Sequence, residues 1–445
     1  MASSSLATLI SYAGTVVAGS MCFAIGSNDV CQSLAVGSGG VSVSSALAMG
    51  AVAEFLGVVT MGAGVAATVK EGFLDLSAFS STPLLLSLGM FATLAAAATW
   101  LLASTYFSLP VSTTHSVVGG LIGFGLVTAG PSSLRTEFFS SVFASWILSP
   151  TAGCAASYAA LSLVNASIFA HGKGASRRAS ALLPYINGIT ASIMALFMAA
   201  KGLPNVGIVL PLPHQAAAAA GVGALVVAAS FLGILPAGRG RRKPVPGRNG
   251  MIPLDGSGYG EAEDAFTPLV VATAVLVAFA HGSNDVSNGV GCLLVMREVA
   301  EYGRVLGVGE DAAPIPQWIM FMGGICISSG LLFLGARVMA TMGSKITKLT
   351  PSRGFCAQLA TASTVLAATA TGMPVSSTHT MVGAVTGLAL ASTGPDAKIN
   401  YATIKKIVVS WVVTLPIGAV TAVLYFWILS FLFYSGEQGT TTTSA

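Results

Sequence analysis

The sequence predicts an all-α polytopic membrane protein made of two inverted-topology repeats, each with a broken span and a helical hairpin with a Ser/Thr tip. Of the 445 residues, 54% are hydrophobic and 8% charged, and the mean hydropathy is +0.81. Soluble domains carry about 25% charged residues, so little of this chain lies outside a membrane. Apolar segments long enough to span a bilayer recur along it. One polar motif, Gly-Ser-Asn-Asp-Val, occurs at 26–30 and again at 282–286.

The first apolar segment, 6–37, contains this motif in its middle. An aspartate at the centre of a membrane helix costs about 2.5–3.5 kcal/mol on insertion scales, so intramembrane carboxylates mark functional sites. We therefore expect the span to be broken at 26–29 and Asp29 to be functional. A plain span, 44–68, follows and contains Glu54. We expect this second acidic residue at or beside the same site.

Two later apolar stretches are each cut by a polar run. Proline followed by serine and threonine is a helix-start signal, because the hydroxyls cap free backbone N–H groups. Each stretch therefore predicts a helical hairpin whose second arm begins at the Ser/Thr run. An ordinary pair of full spans with a polar loop is the alternative, and it gives the same number of net crossings. The predicted arms are 84–108 with 112–129, and 357–372 with 376–392.

The elements occur in the same order twice. Broken span, plain span, hairpin and plain span (138–164) make up a first repeat, 1–164. They recur in a second repeat, 267–432, as 267–291 (broken at 282–285), 316–340, the second hairpin and 405–432. Two connecting spans, 182–201 and 215–236 within 165–236, and a polar linker, 237–266, separate the repeats. An odd number of net crossings precedes the second repeat, so it is inverted, which is the plan of many secondary transporters. Hairpin arms included, about 12 membrane helices are expected.

The distribution of lysine and arginine predicts the orientation. Placing 237–266 in the cytoplasm leaves most basic residues in cytoplasmic loops and puts both termini outside, including the tail 433–445. The sequon at Asn165 then lies inside and carries no glycan. The net charge of +4 is too small to indicate nucleic-acid binding. Since no targeting segment is visible, the plasma membrane is the expected location.

The two hairpin tips supply donors for an anion. A helix N-terminus presents free N–H groups and a positive partial charge, which suits phosphate or another oxyanion. Plain capping is the alternative for either tip alone, and the duplication favours a function. The tip hydroxyls that add donors without adding charge are those of Ser112, Thr113, Thr114, Ser376, Ser377 and Thr378.

The two Asn-Asp pairs supply ligands for a cation. Carboxylate, amide and freed carbonyl oxygens in an unwound span suit Na⁺, whereas aspartate alone suits H⁺. The predicted cation ligands are Asn28, Asp29, Asn284 and Asp285. A cation beside the anion lowers the cost of binding it, which gives coupling a physical basis.

Three histidines, His115, His281 and His379, lie beside these motifs and could titrate. At the positions directly after the tips, histidines more often donate to backbone than carry protons. A Ser-His-Asp hydrolase is disfavoured, because no nucleophile elbow is present and the whole arrangement is duplicated. The sequence therefore predicts no enzyme, and no cofactor apart from a coupling ion.

These motifs, together with the run 100–116 and Thr-Pro-Ser-Arg-Gly-Phe at 350–355, resemble the inorganic phosphate transporter (PiT) family. The resemblance implies cation-coupled phosphate symport, usually Na⁺-driven and in some members H⁺-driven, by a homodimer. It also implies that Asp29, Asp285 and the tip hydroxyls surround phosphate, while the Asn-Asp motifs contribute to Na⁺ sites. Gln358 stands where many members have glutamate, so the choice between Na⁺ and H⁺ stays open.

Alternating access would then move phosphate and the cation together. One alternative keeps the fold and changes the cargo, as an H⁺-coupled phosphate carrier or a sulfate-type oxyanion carrier. An anion channel or a phosphate-sensing receptor is the alternative from a different class. The short linker and the lack of a soluble domain argue against the receptor.

Overall fold

The computed structural model of the chain describes residues 2–205, 207–235, 259–306, 314–339, 346–392 and 399–438. These ranges are almost entirely helical, apart from loops and one isolated β-bridge between Leu74 and Leu134. Nine helices within them are long and apolar enough to cross a membrane. The arms of the predicted hairpins that fall outside this set are shorter or more polar, so the predicted number of membrane helices stays a prediction.

The first half contains the predicted break and the predicted hairpin. Short 3₁₀ turns at Leu76–Phe79 and Pro131–Ser133 lie on either side of the hairpin. The helices are α1 (Ala2–Asn28), α2 (Ser33–Gly37), α3 (Val43–Gly72), α4 (Pro83–Tyr106), α5 (Thr113–Thr128) and α6 (Thr136–Ser167).

Two helices, α7 (Ala175–Phe197) and α8 (Leu212–Phe231), connect the halves and pack against each other. A 3₁₀ segment, Phe169–Gly174, precedes α7, and a π-helical turn, Met198–Gly202, and one further turn, Leu203–Asn205, follow it. The end of the segment predicted as a linker is helical, as α9 (Tyr259–Ala265). Residues 237–258 of that linker lie outside the described residues.

The second half consists of α10 (Thr267–Tyr302), α11 (Gln317–Leu334), α12 (Pro351–Ala370), α13 (Ser377–Ala391) and α14 (Tyr401–Gln438). Helix α12 begins before the predicted residue 357, because Glu263 from α9 caps its start. The Glu263 carboxylate accepts hydrogen bonds from Ser352 N (2.8 Å), Ser352 Oγ (2.8 Å) and Thr350 Oγ1 (2.9 Å). The predicted tail begins inside α14, and residues 439–445 lie outside the described residues.

The predicted break at 282–285 is wrong, whereas the break in the first half exists but lies at 29–32 rather than at the predicted 26–29. Helix α1 makes its last bond from Asp29 N to Ile25 O, and the chain then turns before α2 starts. After two helical turns the chain reaches a glycine-rich run in which Gly39 has a φ of 78°. A longer helix here would bury little additional apolar surface, so it gains little stability. After Asp285, by contrast, a buried apolar run extends α10 to Tyr302, and Gly303 ends the helix with a φ of 66°.

Glycines let the two motif helices approach their neighbours closely. A Cβ on Gly282 would lie 2.2 Å from the carbonyl oxygen of Glu54, and one on Gly57 would lie 2.1 Å from that of Phe279. These contacts place α10 directly against α3. Gly26 and Gly330 bring α1 equally close to α11. Small residues at such crossings are the usual way in which membrane helices pack backbone to backbone.

The last helix of each half packs on the hairpin of the other half. Gly383 and Gly387 of α13 lie against the backbone of α6, where a Cβ would come within 2.1 Å of the Pro150 and Cys154 carbonyl oxygens. Gly119 and Gly123 of α5 lie in the same way against α14, where an added Cβ would come 2.3 and 2.6 Å from the carbonyl oxygens of Leu415 and Ala419. Each hairpin is therefore enclosed by elements of both halves.

Candidate functional site

Each hairpin tip begins its second helix with a serine N-cap. Ser112 Oγ accepts from His115 N at 3.3 Å at the start of α5, and Ser376 Oγ accepts from His379 N at 3.3 Å at the start of α13. These two hydroxyl oxygens thus cap the helices, as serine does at this position. The next two hydroxyls of each tip point away from the cap and into the interior of the protein.

An asparagine from the preceding span holds each tip in place. Asn28 donates to Thr105 Oγ1 and Leu109 O, both at 3.0 Å, and accepts from Val111 N at 2.9 Å. Asn284 makes the matching bonds in the second half, to Thr369 Oγ1 (3.0 Å), Met373 O (3.1 Å) and Val375 N (3.0 Å). Three bonds to one tip use both ends of the amide. Each asparagine therefore positions the hairpin of its own half, and its predicted role as a cation ligand stays a prediction.

The aspartates reach the tip of the opposite half. Asp285 Oδ1 accepts from Thr113 Oγ1 at 3.1 Å, and Asp29 Oδ2 accepts from Thr378 Oγ1 at 2.9 Å. Ser377 Oγ makes hydrogen bonds to both Asp29 Oδ2 and Asp285 Oδ2, the latter at 2.8 Å. A hydroxyl has one proton to donate, so Ser377 Oγ donates to one of these two carboxylate oxygens at a time, and Asp29 Oδ2 also accepts from Thr378.

Both carboxylates are buried, with 3% and 0% of Asp29 and Asp285 exposed. Two negative charges that meet at one hydroxyl away from water repel each other strongly. The hydroxyls and helix N-termini around them are donors suited to an oxyanion. The structure thus brings together predicted anion donors and predicted cation ligands in one cluster.

Comparison with known proteins places the chain in a family. The model of the phosphate transporter family matches residues 25–422, nearly the whole chain and both repeats of the motif. The chain belongs to the phosphate transporter family. The resemblance predicted from the sequence is therefore confirmed, and the family is one of transporters rather than of enzymes.

Relatives of this phosphate transporter family member match over almost its entire length. A putative phosphate permease of Haemophilus influenzae is 36% identical over 93% of this chain and 95% of its own. The chloroplastic inorganic phosphate transporter 2-1 of Arabidopsis thaliana is 35% identical over 95% of this chain and 72% of its own. A solved structure of a sodium-dependent phosphate transporter superposes with a TM-score of 0.84 at 32% identity. That likeness covers 96% of this chain and all of that one.

Glu54 contacts the cluster through His281, which the sequence indicated only as a residue that could titrate. His281 Nδ1 lies 3.0 Å from Glu54 Oε1, and Gln32 Nε2 donates to the same oxygen at 3.3 Å. The other ring nitrogen, Nε2, lies 3.2 Å from Asp285 Oδ2 and 3.9 Å from Asp29 Oδ2. His281 therefore connects the buried glutamate to both aspartates.

Asn288 is a site residue that the sequence analysis missed. Its Nδ2 lies 3.3 Å from both Thr113 Oγ1 and Thr114 Oγ1, and 3.1 Å from Asp285 Oδ1. The motif itself contained a usable sign, because the position three residues after each aspartate is an amide, Gln32 in one copy and Asn288 in the other.

Gln358 does not bond to either aspartate. With its amide oriented to satisfy both ends, it donates to Val270 O and Thr273 Oγ1 at 3.0 Å and accepts from Ala35 N at 3.1 Å. It therefore ties α10 to the short helix α2 beyond the break. An amide suits this position better than a carboxylate, because it can donate to Val270 O and accept from Ala35 N at the same time.

His115 and His379 form a ring cluster behind the tips with two tryptophans. The His115 ring packs on Trp146 of α6 and the His379 ring on Trp411 of α14, each with centroids 3.7 Å apart. The two histidine rings are 4.6 Å apart, and His115 Nδ1 lies 3.1 Å from the carbonyl oxygen of Trp411. This contact fits the expected donation to backbone. Both histidines thus join the tips to the enclosing helices and lie behind the carboxylates.

Proposed function

We propose that this protein carries inorganic phosphate across a membrane together with Na⁺. The observation that carries the proposal is the single hydroxyl, Ser377 Oγ, within hydrogen-bond distance of two buried carboxylates. A cation between Asp29 and Asp285 would neutralise their repulsion. Carboxylate oxygens are hard ligands of the kind that Na⁺ takes in transporters with unwound spans.

Phosphate would bind at the same tips. The hydroxyls of Thr113, Ser377 and Thr378 donate to carboxylate oxygens. Phosphate oxygens are acceptors of the same kind, and the two helix N-termini favour negative charge. A cation bound to the aspartates would reduce the negative charge beside the phosphate, so each ion would lower the free-energy cost of binding the other. This mutual dependence is what a symporter requires.

The matched contacts of the two halves support an inverted repeat that works by alternating access. The asparagine clamps, the glycine crossings and the exchanged last helices occur in pairs, one member from each half. We further propose that both termini lie outside and the linker in the cytoplasm, and that the protein is a plasma-membrane homodimer. A glycan on Asn165 in a glycosylating host would contradict the orientation, and native mass spectrometry tests the dimer.

An H⁺-coupled carrier of phosphate or a sulfate-type oxyanion is the second candidate, and His281 is the observation that favours it. A protonated His281 would donate from both ring nitrogens, to Glu54 and to Asp285, at 3.0 and 3.2 Å. The proton would then replace Na⁺ as the compensating charge.

The deciding experiment is uptake of radiolabelled phosphate into proteoliposomes with the Na⁺ and pH gradients varied separately. We expect an inward Na⁺ gradient to drive accumulation at equal pH, and excess unlabelled sulfate to compete poorly. Accumulation that follows only the pH gradient would replace Na⁺ by H⁺. Uncoupled flux, or binding with no flux, would overturn the proposal in favour of a channel or a receptor.

A further inference from the structure

The break between α1 and α2 places a thiol inside the candidate site. Cys31 is buried, and its Sγ lies 3.5 Å from Asp29 Oδ1. It is two residues beyond the aspartate, where an unbroken helix would turn it to a different face. In the second half, the matching residue is Ser287, whose hydroxyl bonds back to Asn284 O within α10.

A second observation points to a ligand at this thiol. His281 is fully buried, and its Nε2 atom makes no hydrogen bond of good geometry within the described residues, although Asp285 Oδ2 lies 3.2 Å away. The Nδ1 atom faces Glu54 Oε1 at 3.0 Å and can donate to it. That bond leaves Nε2 with a free lone pair directed at the aspartates. A carboxylate behind a histidine is the usual arrangement that orients an imidazole toward a metal ion.

The ligand atoms are close enough to bind one ion. A carboxylate oxygen of Asp29, the Cys31 Sγ and a ring nitrogen of His281 all lie within 4.8 Å of one another. Bonds of about 2.0–2.3 Å to a tetrahedral Zn²⁺ place neighbouring ligands about 3.5 Å apart. The three side chains therefore need to move by about 1 Å or less, and Asp285 Oδ2, at 3.2 Å from His281 Nε2, can supply a fourth ligand.

We propose that Asp29, Cys31 and His281 bind a soft divalent cation, Zn²⁺ or Cd²⁺, and that this ion inhibits phosphate uptake. Thiolate and imidazole ligands select such ions over Na⁺ and Mg²⁺. Binding uses the carboxylate that Thr378 and Ser377 contact, so the metal competes with the coupling cation and withdraws Asp29 from the second tip. The inhibition rests on the proposed function, whereas the binding does not depend on it.

The binding test uses the purified full-length protein in detergent. Zn²⁺ is titrated calorimetrically, and Cd²⁺ is followed by the ultraviolet absorption of a thiolate-to-metal bond. We expect one ion per chain, and loss of both signals in Cys31→Ser. Glu54→Gln should weaken binding by about 10–100-fold, as expected for the partner that orients a metal-bound histidine. Cys292→Ser removes a buried thiol of α10 and serves as the matched control that keeps both signals.

Any of three binding results would overturn the proposal. The first is wild-type protein that binds neither ion. The position of His281 between Glu54 and Asp285 would then be explained by a protonated imidazole. The second is Cys31→Ser with wild-type affinity and the third is loss of binding in Cys292→Ser, and either of these would place the metal at a different site.

The transport test measures phosphate uptake at increasing Cd²⁺, with each variant normalised to its own metal-free rate. We expect Cd²⁺ to inhibit wild type and Cys292→Ser alike, and Cys31→Ser at no less than tenfold higher concentration. Equal inhibition of all three, or stimulation by the metal, would overturn the inhibitory role. If none of the proteins takes up phosphate, the proposed function fails while the binding result still decides the metal site.

Discussion

The two copies of Gly-Ser-Asn-Asp-Val have one sequence and two backbone conformations. At 26–30 the chain leaves α1 and unwinds before α2, whereas at 282–286 α10 continues without interruption. The asparagine of each copy nevertheless makes the same three contacts to its own hairpin, and the aspartate of each reaches the opposite tip. The positions of these side chains thus follow from their tertiary contacts, and either local conformation allows them.

The two copies differ in which side chains lie beside the aspartate in space. In the continuous helix, Asn288 stays one turn from Asp285 and contacts the first tip. In the unwound copy, the matching Gln32 turns to Glu54, and Cys31 approaches Asp29 instead. The first tip therefore receives an amide donor in addition to a carboxylate, which the second tip lacks among these contacts. We infer that phosphate contacts the two tips unequally even though the aspartates are matched.

The largest expected effect is at the two aspartates, which make matched contacts in the two copies of the motif. Asp29→Asn and Asp285→Asn should each lower phosphate uptake more than about a hundredfold, equivalent to about 2.7 kcal/mol, because each carboxylate supplies half of the negative charge proposed to hold the coupling cation. Radiolabelled uptake is measured at equal membrane levels of protein. Asp75→Asn, at an exposed residue that caps a 3₁₀ turn, is the control with near wild-type uptake. Normal uptake by either site variant would remove the shared cation from the proposal.

The two asparagine clamps should contribute equally to stability, although the backbone conformation differs between the two copies. Asn28→Ala and Asn284→Ala each delete three hydrogen bonds, and each should lower the free energy of unfolding by about 2–4 kcal/mol. Denaturant unfolding in detergent measures this quantity. Asn165→Ala, which removes one bond of 3.4 Å to Ala391 O, should have a much smaller effect. A neutral result at only one clamp would mean that the two hairpins are held in place by different contacts.

The smallest expected effect is at the amide three residues after each aspartate, whose contacts differ between the two copies. Asn288→Ala removes donors to Thr113 and Thr114 and should raise the KM for phosphate about tenfold, equivalent to about 1.4 kcal/mol. Gln32→Ala should change KM less than about threefold, because its bond goes to Glu54. Initial uptake rates over a range of phosphate concentrations give both values. Equal increases in KM would show that the amide position matters in both copies.

Local sequence signals predicted the hairpins, their tips and the first break, because proline, serine and glycine act on the residues beside them. They failed at α10, whose continuation depends on buried apolar packing after Asp285 rather than on the motif. Polarity within apolar spans pointed to most of the residues that the structure brings together in the cluster, and their roles in binding stay predictions. Which aspartate meets which tip, and the link from Glu54 through His281, could not be predicted, since these contacts join residues of opposite halves and have no local spacing.

The exchange of the last helices has a consequence for how the chain is made. Hairpin α4–α5 is finished early in synthesis, but the glycine face of α5 is covered only by α14, near the end of the chain. Until then, its backbone lies bare to lipid or to a chaperone. The halves are therefore interlocked, and neither should form a stable site if expressed alone. Co-expression of fragments 1–236 and 259–445 should allow α14 to pack on α5 and α6 to pack on α13, and so restore a folded site.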